Sequence, residues 1–303
     1  MGYGSYSAQD WEKLKKSMQL EPDKNVEEIF KRKECNPKFD PKYINTRECF
    51  DSDDHPKSTP IVVGLDVTGS MGYLAVEVAT KALNALITKL YSTNIIEDPA
   101  LMCAAYGDYR DSSPLQVTQF ESDIRIAEQL LELYFEDKGN GKVVPTCLWE
   151  FLSRHTNIDA INKRGEKGYV FTIGDVADIR EDEVQSTIER VIGDSIPGIT
   201  VESTLKEVEQ KFNVFHIMIG SGENPNAFLT QNGGNPNILM GHKINIPRAD
   251  INIIPEIIIG TIQLQKGESL DEVIEKQDEI IRPSLKTALK QLQIFDADRP
   301  VNL

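Results

Sequence analysis

From position 61 the chain alternates between short apolar runs and longer amphipathic stretches. Residues Ile61 to Leu65 are apolar throughout, as a strand covered on both faces must be. Behind them Val76, Ala79, Leu83, Leu86, Ile87 and Leu90 recur at helical spacing. Leu101 to Tyr106 and Leu115 to Phe120 read as the next two strands. The stretch 122–135 reads as a helix with Ile124, Ala127, Leu131 and Tyr134 on one face. A helix over roughly 147–160 precedes a strand at 169–173, and Val184, Ile188, Val191 and Ile192 mark a further helix. Phe212 to Ile219 and 243–247 complete the strands. The apolar run Ile253 to Leu264 exceeds an ordinary strand and is read as helix. Ser269-x-x-Glu272 is a capping box opening a final helix to about Gln293. Strands alternating with helices of this length predict an α/β fold: a doubly wound, mostly parallel, Rossmann-like sheet with helices on both faces.

Residues 1–59 follow a different pattern. Ser7-x-x-Asp10 suits the cap of a short helix with Trp11, Leu14 and Met18 on its apolar face. Asn25-x-x-Glu28 suits a second, with Val26, Ile29 and Phe30 facing inward. A polar stretch punctuated by Pro37, Pro41, Pro56 and Pro60 follows. Two short helices bury too little to stand alone, so 1–59 is read as an N-terminal helical arm packed on a main domain of residues 60–303.

Charge narrows the function. The arm holds 11 basic and 12 acidic side chains, whereas the remainder holds 22 basic against 36 acidic, most of the net −15. Such a body repels phosphate backbones, which argues against nucleic acid, and favours divalent cations or basic protein surfaces. No run approaches the ~18 apolar residues that span a bilayer. The opening residues carry neither a signal-peptide pattern nor a myristoylation pattern, since position 6 is Tyr. A cytoplasmic protein that does not enter a membrane is expected. Cys35, Cys49, Cys103 and Cys147 are too scattered for a zinc site or a disulfide framework. His55, His155, His216 and His242 show no ligand spacing, and His216 lies within an apolar strand as a core residue would. Trp11 and Trp149 read as core anchors. The acidic cluster Asp51, Asp53 and Asp54 lacks calcium-loop spacing and reads as a surface linker.

In sheets of this kind ligands bind at the carboxyl ends of the strands. Those ends carry Asp66, Asp108, Asp175 and Ser221. Asp108 and Asp111, within Gly-Asp-Tyr-Arg-Asp, suit a hairpin turn. The first end is the informative one, running Asp66-Val67-Thr68-Gly69-Ser70-Met71-Gly72 straight into the long helix. A glycine in the turn and hard oxygens converging on one rim suit Mg²⁺. Asp66-x-Thr68-x-Ser70 also resembles the metal-ion-dependent adhesion site (MIDAS) of von Willebrand factor A (vWA) domains. That resemblance spans roughly 60–290. It implies a divalent cation, Mg²⁺ or else Mn²⁺ or Ca²⁺, held by the two hydroxyls with Asp66, a later loop hydroxyl and an Asp after the fourth strand. Asp175 fits the last. Residues 64–71, 114–125 and Arg154-His155-Thr156 resemble more closely a bacterial and prophage-associated vWA subgroup. Where its pattern ends the loop in Glu-Ser, this chain has Val143 and Val144. Thr146 is the nearby hydroxyl left to substitute, and the exchange is expected to weaken the metal.

The resemblance implies a non-catalytic protein–protein interaction module, in one form an adaptor for a MoxR-type ATPase, with a protein partner held over the metal rim. The irregular 221–241 segment, rich in Gly and Asn, would line the same rim and set specificity. Two alternatives stand beside it. One is a virion structural component of a phage or prophage built on a vWA domain. The other is an Mg²⁺-dependent phosphotransferase like the haloacid dehalogenases. Their D-K-T-G-T and G-D-x-x-D motifs resemble Asp66 to Ser70 and Gly174 to Asp178, and Asp66 would be the nucleophile. Against it, Thr68 stands where the phosphatase branch has its acid.

Overall fold

The computed structural model describes residues 5–18, 26–71, 74, 77–136, 144–175, 181–220, 238–239, 241–292, 295–296 and 299–300. Val76, Gly72, Val143, Asp178, Ser221, Gln293 and nearly all of the 221–241 segment lie outside them.

The apolar runs form a six-stranded sheet. In chain order the strands up to residue 246 are β1 Arg47–Cys49, β2 Ser58–Asp66, β3 Asp98–Tyr106, β4 Leu115–Val117, β5 Thr156–Ile158, β6 Gly168–Gly174, β7 Phe212–Ile219 and β8 Lys243–Ile246. The main sheet has the order β4-β3-β2-β6-β7-β8, and β1 pairs with β5 as a separate parallel ribbon. Every neighbour in the main sheet is parallel except edge strand β4, which runs antiparallel to β3. The strand order reverses beside β2, and the carboxyl ends of β2 and β6 lie side by side there, with Leu65 opposite Ile173.

The period of two divides the strands between two cores. Ile61, Val63, Leu65, Leu101, Cys103, Phe171, Ile173, Phe215 and Ile217 face one way. Against them pack α3 Leu83–Thr93, α9 Ile254–Gln265 and α11 Arg282–Leu289. Val62, Met102, Tyr106, Val170, Phe212 and Val214 face the other way, onto α5 Pro145–Arg154, α7 Val184–Val191 and α8 Val201–Val208. The fold is therefore a mostly parallel α/β sheet sandwiched between helices.

The arm joins the first core. Helix α1 Ala8–Met18 buries Trp11 and packs Leu14 and Met18 beside it. Its start is capped by the Ser7 side chain, which accepts from the Asp10 N–H at 3.2 Å. Helix α2 Val26–Ile29 is one turn that contributes Ile29, with Phe30 following it into the core. Tyr6 fastens the arm to the body through its hydroxyl to Asn84 and its N–H to the Ser122 carbonyl.

Several boundaries differ from the sequence reading, each for a physical reason. The helix expected to run from 269 to 293 is two: α10 Leu270–Glu275, capped as predicted by Ser269 and Glu272, and then α11. Pro283 sits in the first turn of α11, where its missing N–H costs nothing; within a continuous helix it would remove a bond. The helix expected over 147–160 stops at Arg154, because residues 156–158 pair with β1, and α6 Asp159–Arg164 follows. The stretch 122–135 is helical only as α4 Arg125–Leu131. The third strand ends at Val117, after which the Thr118 hydroxyl accepts from the Cys103 N–H of the neighbouring strand β3. Helix α3 is preceded by one π-helical turn, Val78–Ala82. No helix among the described residues is long and apolar enough to cross a membrane.

Candidate metal centre

Strand β2 ends at Asp66, and the turn beyond it folds back on that carboxylate. Asp66 Oδ1 accepts from the Thr68 backbone N–H at 2.8 Å and from the Thr68 hydroxyl at 2.6 Å. The Met71 N–H closes the turn on the Thr68 carbonyl at 3.0 Å, and the buried Met71 side chain pins it to the core. Thr68 Oγ1 lies 3.1 Å from Ser70 Oγ, which donates to Asp175 Oδ1 at 2.8 Å. Asp66, Thr68, Ser70 and Asp175 thus form one hydrogen-bonded line from the buried end of β2 to the exposed Ser70.

Asp175 reaches this line because Gly174 brings β6 close to β2. A Cβ at position 174 would stand 2.9 Å from Asp66 Cβ and 3.0 Å from both Asp66 Oδ2 and the Tyr106 hydroxyl. Tyr106 uses that hydroxyl to donate to the Ile173 carbonyl at 2.9 Å, holding β6 in place. Only glycine allows so close an approach of backbone to side chain.

Asp66 is completely buried, and its Oδ2 makes no well-aligned hydrogen bond among the described residues. Burial is the main reason its carboxyl is pushed up to about 7; the Thr68 bonds and the backbone N–H of Asp175 oppose the rise, and the nearby Asp175 carboxylate adds to it. A buried carboxylate oxygen without a donor is costly unless a cation faces it. Two carboxylates and two hydroxyls are a hard-oxygen set of the kind Mg²⁺ or Ca²⁺ takes. The residues fit a dication, which would draw on Asp66 Oδ2, the two hydroxyls and Asp175. Among the described residues no group of three or more His, Cys, Asp and Glu could hold a metal ion, and this line contributes only two carboxylates.

The remaining sequence-read residues lie on other elements. Thr146 is fully buried in the first turn of α5, on the sheet face that Tyr106 covers. Val144 immediately precedes that helix, equally buried and without a side-chain cap. Asp108 builds the turn after β3: its Oδ1 accepts from the Arg110 N–H at 2.9 Å, and its own N–H donates to Asp111 Oδ2 at 2.9 Å. His216 is buried with its Nδ1 2.8 Å from the Thr172 hydroxyl, and burial lowers its pKa to about 3, so it stays neutral in the core.

One residue at the site escaped the sequence reading. Arg248 Nη2 donates to Asp175 Oδ2 at 3.0 Å from just beyond β8. The available signal was a cation at the carboxyl end of a predicted strand, but nothing in the linear order links position 248 to 175.

The chain is similar in structure to von Willebrand factor A domains. One is the corresponding domain of the type V pili tip protein Mfa5 from Porphyromonas gingivalis, at TM-score 0.43 and 10% identity over 75% of this chain and 98% of that one. Another is the pilus adhesin SpaC from Lactobacillus rhamnosus GG, at TM-score 0.41 and 12% identity over 68% of this chain. A third is proximal thread matrix protein 1 from the mussel byssus with a zinc-occupied MIDAS motif, at TM-score 0.41 and 11% identity over 67% of this chain. The chain spans 30% of the adhesin's length and 47% of the byssus protein's. No protein-family model and no curated protein matches the sequence.

Proposed function

We propose that this chain is a non-catalytic protein-interaction module of the vWA kind, which holds a divalent cation, Mg²⁺ in the first place, at Asp66, Thr68, Ser70 and Asp175. The observation that carries the proposal is the buried Oδ2 of Asp66, which makes no well-aligned hydrogen bond, at the head of a line of oxygen donors from two adjacent strand ends. Thr146 supplies a further hydroxyl from α5 in place of the valines before it. The metal keeps one position open for a carboxylate from the partner, and the 221–241 segment, most of it outside the described residues, is proposed as the partner's second contact. An adaptor for a MoxR-type ATPase is one form of this function. Catalysis through Asp66 as a nucleophile fits the geometry less well: its Oδ1 already accepts two hydrogen bonds and its Oδ2 is buried.

Calorimetry with Mg²⁺ and Mn²⁺ on the wild type and on Asp66→Ala tests the site. Heat of binding in the wild type alone is expected, and identical traces would remove the metal from the proposal. Thr146→Ala should weaken binding nearly as much as Ser70→Ala; a silent Thr146→Ala would leave the site with four protein ligands.

A further inference from the structure

Arg248 is the one cation bonded to the metal line among the described residues, and its setting is built. Its guanidinium donates to Asp175 Oδ2 at 3.0 Å, while Asp175 Oδ1 accepts from Ser70. Both oxygens of Asp175 are therefore engaged. The Arg248 side chain lies across Gly220, which ends β7 at φ +80°; a Cβ there would come within 3.0 Å of Nε. Asp175 is nearly buried, at 6% exposure, whereas the Arg248 side chain is 55% exposed and has solvent to move into.

We propose that Arg248 is the resident counter-ion of this site: it neutralises Asp175 in the absence of metal, and a dication must compete with it. This rests on the metal reading above. A guanidinium bonded to a prospective ligand opposes a dication in two ways. It occupies the oxygen, and it places a positive charge within a few ångströms of the incoming ion. Because Arg248 is half exposed, solvent screening keeps the penalty modest, on the order of tenfold in affinity. When the metal draws on Asp175, the guanidinium is released towards the rim, where it can pair with the carboxylate of a bound partner. Loading would then turn an internal ion pair into an intermolecular one.

Calorimetric titration of the full chain with Mg²⁺ tests this in wild type, R248Q, R248K and D66A. R248Q should bind about tenfold more tightly than wild type, while R248K, which keeps the charge, should stay near wild type. R248M serves as a second neutral variant if R248Q is poorly folded. A thermal melt supplies a readout independent of heat. In EDTA the neutral variant should melt below wild type, because Asp175 has lost its counter-ion, and Mg²⁺ should raise its Tm by more than it raises that of wild type. If wild type binds and neither neutral variant binds more tightly, the counter-ion role is overturned and the metal site stands. If wild type and the neutral variants all match D66A, both fall together.

Discussion

Asp66 is where sequence and burial pull hardest against each other. Its carboxyl is raised to about 7 from 3.8, chiefly by burial. An acid raised on folding holds its proton more readily in the folded chain. Its contribution to stability is therefore full at pH below about 4 and is lost as pH climbs through about 7. A dication reverses the sign, because it binds the ionised form. Added Mg²⁺ should thus raise Tm clearly at about pH 8 and little at about pH 5. Equal shifts at both values would separate Asp66 from the metal. Gly174 is the second residue that decides the site. Gly174→Ala forces a methyl group against Asp66 and Tyr106, and overpacking of this kind costs about 1–3 kcal/mol. Denaturant unfolding should show that loss, and Mg²⁺ binding should fall with it, since the methyl group pushes β6 and Asp175 away from β2.

Among the elements, α5 and its end explain the run Arg154-His155-Thr156. Arg154 pairs with Glu150 one turn back and with both carboxylate oxygens of Glu207 on α8, at 2.7 and 2.9 Å. His155 sits with Nε2 2.8 Å from Asp194 and Nδ1 3.1 Å from the Asn45 carbonyl. The Thr156 carbonyl accepts from the Lys211 ammonium at 2.9 Å. This run ties α5 to α8 and to the segment before β1, and it makes no contact with the metal line. Arg154→Met should therefore leave Glu150, which is wholly buried, without its ion pair. A cost of about 1–3 kcal/mol is expected, measured by chemical denaturation, with Mg²⁺ affinity unchanged. A loss of metal binding at constant stability would give the run a role at the site instead. Arg154-His155-Thr156, one of the three stretches behind the resemblance to a vWA subgroup, is on this view a structural brace.

For the whole molecule, charge and rim geometry would set how the proposed partner is held. The body is acidic, yet the carboxyl-end rim carries Arg248 on Asp175, and Arg110 and Arg190 set against the Tyr109 ring at 5.0 and 5.9 Å. A partner should offer an acidic ligand to the rim and neutral or basic surface to the flanks. Complex recovery by pull-down should drop with EDTA, through loss of the metal, and with salt, through screening. Recovery indifferent to EDTA would mean that the rim holds its partner without a cation.

The linear pattern settled a great deal by itself. The period of two in the strands and the 3.6 spacing behind them fix which side chains can be buried together, so the mostly parallel sheet and the placement of Asp66 and Asp175 at strand ends were legible. Local chemistry was legible too: Asp66, Thr68 and Ser70 lie within five positions, and the turn that joins them needs no distant residue. Other features depended on contacts that sequence order does not encode. Residues 156–158 are a strand only because β1 lies alongside them, and the last helix breaks where α10 and α11 fold against each other, both of them packed on α9. Asp175 meets Ser70 across a gap of more than a hundred residues because Gly174 lets two strands approach, and Arg248 meets Asp175 because β8 lies beside β7. Burial, which lifts the Asp66 carboxyl and leaves its Oδ2 without a well-aligned hydrogen bond, belongs to the packed sheet as a whole. The sequence specifies the chemistry of the candidate ligands; tertiary packing sets their protonation, their spacing and the Arg248 guanidinium beside them.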